Sequence, residues 1–571
     1  MVNNTNNLKA ILKLLQEKTL DAYIVPSNDE YNSEYTSKHF NRLAYISNFT
    51  GSFGFAILLQ DKGILCTDGR YILQANKELD LNYFTIININ DFKLENLLKL
   101  GFNLQNSKIG YDPALFNARS LSRINFASLI AVDENLVDKI WQDRPQLNNK
   151  KFFAYDIKYS GQNANIKLQN ILQKLNLNDD QYLLSTDSAF NCWLFNIRGF
   201  DLDNTPIVLS YALISHKEII LYTENLIEDD TKLELQIIIK SIKDFYFDLE
   251  KVKTQEFLLD KNLTNIKILN LLTNIKHFNM LDLQMLQAIK NNTEIQLAKD
   301  GHIKDAVALI ESFAEIESKI LLNENITEKE IENILISFRK QQVGYFSESF
   351  NAICGYEENG AIIHYRAPKI GSKAIHKNIL LIDSGAQYLG ATTDVTRNLI
   401  LSEPTLEQKE MYTRVLMGHI DLCLMKVPVG TLAFQLDTIA RKYLWEINCD
   451  YAHGTGHGVG SFLGVHEGPI SISKYNNTEL KPGMIFSNEP GFYKENEFGI
   501  RIENLVFVKQ SDSNFLAFEN LTLVPYCKKL INYDMLNDSH KIYLSNYHNE
   551  IKIKVLDSLS LKAKEWLLNN I

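Results

Sequence analysis

Between residues 378 and 505, four acidic residues and a histidine stand beside short apolar segments. Asp383 ends an apolar strand-like run, and Asp394 follows eleven residues later in a segment of alternating character. If the chain reverses near Gly390, the two aspartates face each other across a hairpin at about 5 Å. Carboxylates that close repel, so one stays protonated unless a cation lies between them. The sequence therefore predicts either a cation site or a pair of solvated aspartates.

Three histidines in a glycine-rich segment strengthen the first interpretation. His453, His457 and His466 lie within fourteen residues, and glycines flank the first two. Glycine permits close backbone approach. The spacing matches neither the dinucleotide loop nor the P-loop, and His466 lacks the second histidine of a HExxH zinc site. A single histidine is more often structural, but this grouping indicates a functional site.

Two glutamates complete the set of charged residues. Glu489 follows a predicted strand, and Arg501 and Glu503 are two residues apart, a spacing that puts both on one face of a strand. Four buried carboxylates carry four negative charges, which two divalent cations neutralise. Oxygen-rich ligands favour Mn²⁺, with Co²⁺ and Zn²⁺ as alternatives. A pair of such ions about 3.5–4 Å apart activates a water for hydrolysis and stabilises an oxyanion.

The composition limits the class of protein. The chain has 571 residues, 45% of them hydrophobic and 22% charged, which excludes a disordered chain and a coiled-coil rod and predicts two or three domains. The net charge of −10 disfavours nucleic acid and anionic membrane surfaces as partners. Six cysteines are spread singly, which fits a reducing cytosol. We expect no signal peptide and no membrane span.

The first half of the chain alternates between predicted strands and helices. Residues 22–26 predict a buried strand, and residues 55–66 predict a hairpin. The segment 43–49 and the strand after it resemble the segment 193–200 and an apolar strand at 206–209. This similarity indicates two copies of one α/β module, with chance similarity as the alternative.

Two boundaries and a change of pattern divide the chain further. The polar stretch 142–151 predicts the first boundary, and Asn291 stands at the second. Beyond it, apolar residues from Ile303 to Phe313 recur at helical spacing. Two capping boxes begin later helices, namely Thr327 with Glu330 and Thr405 with Gln408. Helices interleaved with antiparallel strands predict an α+β fold for the C-terminal half.

The set Asp383, Asp394, His457, Glu489 and Glu503 resembles the five metal ligands of the pita-bread metallopeptidases. That group includes methionine aminopeptidase, prolidase and aminopeptidase P. The chain is more specifically similar to the cytosolic three-domain Xaa-Pro aminopeptidases, and the similar segments run nearly end to end. They are 67–71, 135–141 with 143–145, 193–196, 302–309, 360–365, 382–388, 453–460 and 498–504.

The resemblance implies a fold and a setting. It implies two creatinase-like α/β domains at 1–147 and 148–292 and a pita-bread catalytic domain at 293–571, with a C-terminal extension from about residue 514. It also implies two divalent ions, with manganese expected, a homodimer and a cytoplasmic location. The implied reaction is hydrolysis of the N-terminal bond of peptides with proline at position two, by a hydroxide that the metal pair activates.

The resemblance also implies roles for single residues. Glu489 and His466 are the expected catalytic residues: Glu489 moves a proton to the leaving nitrogen, and His466 stabilises the oxyanion. The expected substrate-binding residues are His364, His453, His466, Tyr493 and Arg501. Arg70 could contact the distal part of a peptide, or simply pack beside a strand turn. The basic segment 366–377 departs from the family pattern, which affects the contacts beside His364.

Three other functions are alternatives. A prolidase uses the same metal set but normally has one N-terminal domain, and it cuts only dipeptides. A methionine aminopeptidase would leave two domains unexplained. A non-catalytic binding protein on the same fold is disfavoured because such proteins lose ligands, whereas all five are present here.

Overall fold

The computed structural model describes residues 4–147, 150–228 and 232–571. The chain divides into two compact units. The first comprises Met1–Ala154, Asn163–Asp203 and Ile207–Met280, and the second comprises Tyr155–Gln162, Asn204–Pro206 and Leu281–Ile571. The predicted boundary between residues 147 and 148 meets a gap, because residues 148 and 149 lie outside the described ranges.

The first half of unit 1 is an α/β module around a six-stranded sheet. Its elements are α1 Asn4–Glu17, β1 Ala22–Pro26, α2 Arg42–Ser47, β2 Phe55–Leu59, β3 Gly63–Thr67, α3 Ile72–Glu78, β4 Phe84–Asn88, α4 Leu94–Lys99, β5 Lys108–Tyr111, α5 Ala118–Leu121, β6 Ser128–Ala131 and α6 Leu136–Ile140. Neighbouring residues of β1 face opposite sides, so Ile24 and Val25 belong to separate apolar clusters. Both faces of the sheet are therefore covered.

The second half of unit 1 repeats the arrangement. The elements from residue 153 to residue 277 are β7 Phe153–Ala154, α7 Ile157–Ser160, α8 Ala164–Leu175, β8 Gln181–Ser185, α9 Ser188–Leu194, β9 Ile197–Arg198, β10 Tyr211–Ile214, β11 Ile219–Tyr222, β12 Ile238–Lys240, α10 Ile242–Val252, β13 Glu256–Leu259, α11 Ile266–Leu271 and β14 Ile275–His277. Of these, α7 belongs to unit 2.

The two sheets have the same topology. Their strand orders are β4-β3-β2-β1-β5-β6 and β12-β11-β10-β8-β13-β14. In each, the strand in fourth place pairs antiparallel on one side and parallel on the other. This correspondence confirms the two α/β modules that the sequence similarity predicted.

The prediction of a strand at 206–209 is wrong, because β10 begins only at Tyr211. Two backbone N–H groups of the expected strand bond to side chains instead of to a neighbouring strand. Val208 N contacts Cys192 Sγ at 3.1 Å, and Leu209 N donates to Asp201 Oδ2 at 2.7 Å. These side-chain acceptors remove the donors that a sheet needs.

Unit 2 carries the C-terminal half of the chain. Its elements from residue 281 are α12 Leu281–Ala288, α13 Asn292–Leu321, α14 Glu328–Arg339, β15 Tyr345–Glu348, β16 Ile353–Tyr356, β17 Ile379–Ser384, β18 Ala386–Tyr388, β19 Ala391–Thr392, β20 Val395–Ile400, α15 Leu406–Leu424, β21 Lys426–Pro428, α16 Phe434–Trp445, β22 Gly456–His457, β23 Ser471–Ile472, β24 Ile485–Asn488, β25 Gly491–Lys494, β26 Phe498–Arg501, β27 Asn504–Gln510, β28 Phe515–Asn520, α17 Asp538–Val555 and α18 Leu561–Asn570.

The helix signals read from the sequence are confirmed. Both predicted capping boxes form, at the starts of α14 and α15. Asn291 caps α13, and its side chain accepts from Glu294 N at 3.1 Å. The predicted apolar face of α13 is buried, from Ala306 to Phe313. Together with the antiparallel sheets, these helices form the predicted α+β half.

The hairpin that carries both aspartates turns at Leu389 and Gly390, as expected, but its register differs from the prediction. Tyr388 pairs with Ala391, and Asp383 pairs with Thr396 rather than with Asp394. The two-residue turn sets this register. Asp394 therefore lies diagonally to Asp383, two positions away on the same face.

Gly390 should be essential for this turn. Its φ is +95°, and an added Cβ would lie 2.8 Å from Leu297 Cδ1. We expect Gly390→Ala to lower the free energy of unfolding by about 2–4 kcal/mol, from backbone strain plus overpacking. Gly371→Ala is the control, because Gly371 has φ +77° but no atom within 4 Å. Denaturant unfolding monitors both variants, and equal losses would contradict the packing argument.

Candidate metal centre

The five predicted metal ligands come from the ends of short strands in unit 2. Asp383 lies on β17, Asp394 precedes β20, His457 ends β22, Glu489 follows β24, and Glu503 stands between β26 and β27. The sequence suggested that Arg501 and Glu503 lie on one strand, and this prediction is wrong. The chain passes from β26 to β27 between them, and each strand pairs with a different neighbour.

Three of the five side chains meet at one point. Ligand atoms of Asp394, His457 and Glu503 all lie within 4.8 Å of one another. Glu489 borders this group, since its Oε1 lies 3.5 Å from His457 Nε2, the same distance that separates this nitrogen from Asp394 Oδ2. This donor set suits a divalent cation.

Asp383 is related to this group by its charge, which acts on Asp394, and by a buried oxygen that faces no donor among the described residues. Its Oδ2 accepts from Arg501 Nη2 at 2.6 Å. Its Oδ1 is buried and has no hydrogen-bond partner among the described residues. A buried carboxylate oxygen without a partner calls for an ion or a water, so this atom also fits a metal ligand.

The carboxyl groups repel one another strongly. Burial, and next the charges of Asp383 and Glu489, raise the pKa of Asp394 well above its ordinary value. Burial, and next the charge of Asp394, raise the pKa of Glu503 in the same way. Ligand oxygens of the two carboxyls lie within 4.8 Å of each other, so ionising both of them is costly. A bound cation would offset that cost.

A hydrogen-bonded chain leads from the carboxylates to the predicted substrate residues. Arg501 Nη1 donates to Tyr493 OH at 2.8 Å, and this hydroxyl lies 2.8 Å from His453 Nε2. Arg501 is only 2% exposed, and its Nε donates to Thr396 Oγ1 at 3.2 Å. The structure thus brings together His453, Tyr493 and Arg501 beside Asp383.

The other predicted residues lie at differing places. The ring of His466 packs edge-on to that of His457, with centroids 4.2 Å apart. His364 follows Ile363, whose carbonyl accepts from Arg501 Nη2 at 3.4 Å. Arg70 lies in unit 1, where it forms an ion pair with Asp68 at 2.8 Å. That contact matches the packing alternative for Arg70.

A buried charge network behind the hairpin was not anticipated. Arg339 is fully buried and donates to Asp305 Oδ1 at 2.9 Å, to Glu348 Oε2 at 2.6 Å and to Ser384 Oγ at 3.1 Å. Asp305 Oδ2 accepts from Thr393 Oγ1 at 2.9 Å. Ser384 follows Asp383 and Thr393 precedes Asp394, so the network fixes both arms of the hairpin. The charged Asp305 within an apolar helical pattern was the available signal.

A second ion pair supports the His466 loop. Lys290 bonds to Glu467, the residue after His466, and both side chains are buried. Glu467 Oε2 also accepts from Gln287 Nε2 at 2.7 Å, and Glu467 N donates to Gly458 O at 2.8 Å. The loops that carry His457 and His466 are therefore joined.

Comparisons with known proteins agree with this geometry. The model of metallopeptidase family M24 matches residues 298–510, and two models of the creatinase/prolidase N-terminal domain match 7–138 and 143–294. The C-terminal region of peptidase M24 matches 514–571. Xaa-Pro aminopeptidase 1 of Dictyostelium discoideum is 36% identical over 99% of this chain and 96% of its own. The chain belongs to metallopeptidase family M24.

Other M24 members extend the similarity. Aminopeptidase P2 of Arabidopsis thaliana is 34% identical over 99% of this chain and 88% of its own. A solved X-prolyl aminopeptidase of Caenorhabditis elegans, described as a cytosolic enzyme with a di-nuclear active site, superimposes with a TM-score of 0.91. It is 29% identical, and the match covers 100% of this chain and 99% of that one. The fold is thus a pita-bread domain preceded by two creatinase-like domains.

Within the described ranges, no helix combines the length and the hydropathy that a membrane span requires.

The raised pKa values of Asp394 and Glu503 predict a pH-dependent response to metal. In the metal-free protein, the native state binds more protons than the unfolded state once the pH passes the ordinary carboxyl pKa of about 4. The stability contributed by these two groups therefore falls as the pH rises. We expect the increase in melting temperature caused by Mn²⁺ to be larger at about pH 8 than at about pH 6.

Differential scanning calorimetry with and without Mn²⁺ measures this difference. Glu503→Gln removes one of the two titrating carboxyls, so it should reduce the pH dependence. A metal-induced increase that is the same at every pH would contradict the electrostatic account.

Proposed function

We propose that this protein is a metal-dependent Xaa-Pro aminopeptidase, which removes the first residue of peptides with proline at position two. The observation that carries the proposal is the meeting of Asp394, His457 and Glu503 at one point, with Glu489 and Asp383 beside them. The end-to-end similarity to Xaa-Pro aminopeptidases gives this centre its substrate class.

In this proposal, the five side chains hold two divalent ions. Two divalent cations match the four negative charges of the carboxylates, and Arg501 adds one further positive charge beside Asp383. Manganese suits the oxygen-rich donors, and cobalt and zinc are the alternatives. Bound ions of this kind lower the pKa of a water and stabilise negative charge that develops on a carbonyl oxygen.

Two residues have catalytic roles. Glu489 takes the proton of the attacking water and delivers it to the proline nitrogen, because an amide nitrogen leaves only when protonated. Its Oε1 accepts from Ser487 Oγ at 3.2 Å, which leaves Oε2 to face His453 Nδ1 at 3.9 Å. His466, beside His457, donates a hydrogen bond to the developing oxyanion.

The side chains that line the proposed substrate site recognise proline. The bond to be cut is a tertiary amide without an N–H group, so recognition depends on the shape of the ring and on its carbonyl. We assign the ring contacts to Tyr493 and His364 and the polar contacts to His453 and Arg501. Burial raises the pKa of Tyr493, so its hydroxyl keeps its proton. For Arg70, contact with the distal part of a peptide stays a prediction.

The setting of the enzyme completes the proposal. The predicted divisions at 147 and 292, the homodimer and the cytoplasmic location stay as predictions. The description of the C. elegans protein as cytosolic and the scattered cysteines support the location. A prolidase is the second candidate, but the two complete six-stranded modules favour the three-domain aminopeptidase.

Peptide length separates these candidates. We expect the Mn²⁺-loaded protein to release arginine from Arg-Pro-Pro and to leave Arg-Ala-Pro intact, because only proline fits the residues that line the proposed substrate site. Chromatography of the products measures both reactions. Cleavage of the dipeptide Arg-Pro without cleavage of Arg-Pro-Pro would identify a prolidase instead.

The role of His466 can be tested apart from metal binding. We expect His466→Ala to lower kcat for Arg-Pro-Pro by about 10²–10³, the usual effect of removing one oxyanion donor, and to leave the metal content unchanged. His376→Ala is the control, because His376 is an exposed histidine in the same unit. Unchanged kcat, or loss of metal together with activity, would refute the assignment.

A further inference from the structure

Arg397 is a buried cation close to the candidate metal centre. It lies on β20, three residues after Asp394, and is 1% exposed. Its Nη1 donates to Thr396 O at 2.8 Å and to Glu503 O at 2.6 Å. One guanidinium nitrogen therefore joins the main chain at Glu503 to the strand that follows Asp394.

The remaining donors of Arg397 reach the C-terminal segment. Its Nη2 donates to Val524 O at 2.7 Å, to Asn504 Oδ1 at 2.6 Å and to Tyr547 OH at 3.1 Å. Its Nε donates to Pro525 O at 3.1 Å. Every acceptor in these bonds is neutral, which is unusual for a charge buried so deeply. The fork of the guanidinium matches the fixed arrangement of carbonyls.

Tyr547 holds this arrangement from behind. Its hydroxyl donates to Val524 O at 2.9 Å or to Thr522 O at 3.0 Å, and it accepts from Val524 N at 3.2 Å. Its ring stacks on that of Tyr526, with centroids 4.8 Å apart, and Arg397 lies over the Tyr526 ring at 4.7 Å. Tyr547 thus contacts both the guanidinium and the carbonyls that bind it.

The hydroxyl of Tyr526 connects to the main chain beside Glu503 and Glu489. Its hydroxyl accepts from Asn504 Nδ2 at 3.0 Å, and Asn504 follows Glu503. The same hydroxyl lies 3.1 Å from His419 Nε2, and His419 Nδ1 lies 3.1 Å from the carbonyl of Asn488. Asn488 directly precedes Glu489.

The protonation of His419 fixes the direction of these bonds. Burial, and next the charge of Arg397, lower the pKa of His419 to about 3, so the ring is neutral. The carbonyl of Asn488 can only accept, so Nδ1 carries the proton and Nε2 accepts from Tyr526 OH. The contacts therefore form one continuous network that ends beside three of the proposed ligands.

We propose that the C-terminal segment after residue 514 is the outer support of the metal centre, with Arg397, Tyr526 and Tyr547 as positioning residues. They hold the main chain at Glu503, next to Glu489, and two residues after Asp394, and so keep the ligand oxygens at the spacing that the ions need. The inference rests on the proposed function, since it requires that Asp394, Glu489 and Glu503 bind metal.

Tyr547→Phe tests the inference with the loss of one hydroxyl. We expect Co²⁺ and Mn²⁺ to bind about 10–100-fold more weakly, measured by competition with a chelator, and the Co²⁺ absorption bands to change. At saturating metal, kcat for Arg-Pro-Pro should fall while KM stays within about twofold, because the support does not contact substrate.

Tyr443→Phe is the matched control. Tyr443 is also a buried tyrosine of unit 2, and its hydroxyl donates to Asp421 Oδ2 at 2.7 Å. Loss of either hydroxyl should lower the melting temperature by a similar amount, but only Tyr547→Phe should alter metal binding. Arg397→Lys provides a second test, because lysine keeps the charge but lacks the fork, so metal should again bind more weakly.

The outcomes are distinguishable. If the unmodified protein binds neither Mn²⁺ nor Co²⁺, the proposed function fails, and this inference fails with it. If it binds both ions, and Tyr547→Phe matches Tyr443→Phe in affinity and in the Co²⁺ spectrum, the C-terminal segment does not support the centre and the inference is overturned. Should Arg397→Lys fail to fold, Tyr547→Phe alone decides.

Discussion

Repulsion among buried carboxylates is the constraint on which the catalytic unit depends. Ligand oxygens of Asp394 and Glu503 lie within 4.8 Å of each other, and Asp383 and Glu489 add to their negative charge. Such a group is costly to bury unless cations compensate it. Arg501 supplies part of that compensation to Asp383. It also donates a hydrogen bond to Tyr493, whose hydroxyl contacts His453. Under the proposed function, the same electrostatic requirement links metal binding to the recognition of substrate.

Holding like charges together also requires a rigid frame, and buried arginines provide it. Arg339 fixes both arms of the aspartate hairpin through Asp305 and Glu348. Arg397 joins one arm of this hairpin to the carbonyl groups of Glu503 and Val524. A guanidinium has five donors in a rigid plane, so a single side chain can join several segments of chain. The hairpin, the histidine loops and the C-terminal segment thus meet around charged anchors rather than around apolar packing alone.

Local signals in the sequence were reliable where one short segment determines the outcome. The capping boxes at Thr327 and Thr405 formed as predicted, because all their hydrogen bonds lie within four residues. The turn at Gly390 was found for the same reason. The register of that hairpin was not, since the turn is centred one residue later than a pairing of Asp383 with Asp394 requires, which places Thr396 opposite Asp383. The expected strand at 206–209 failed because distant side chains took its donors.

The residue types of the candidate site, their charge balance and the family resemblance were available from the sequence by itself, because they depend on which groups are present. The convergence of Asp394, His457 and Glu503, the bond from Arg501 to Asp383 and the anchoring by Arg339 and Arg397 were decided by tertiary structure alone. These contacts join residues about a hundred or more positions apart in several cases. No local pattern encodes such pairs, because their geometry arises only when separate strands pack together.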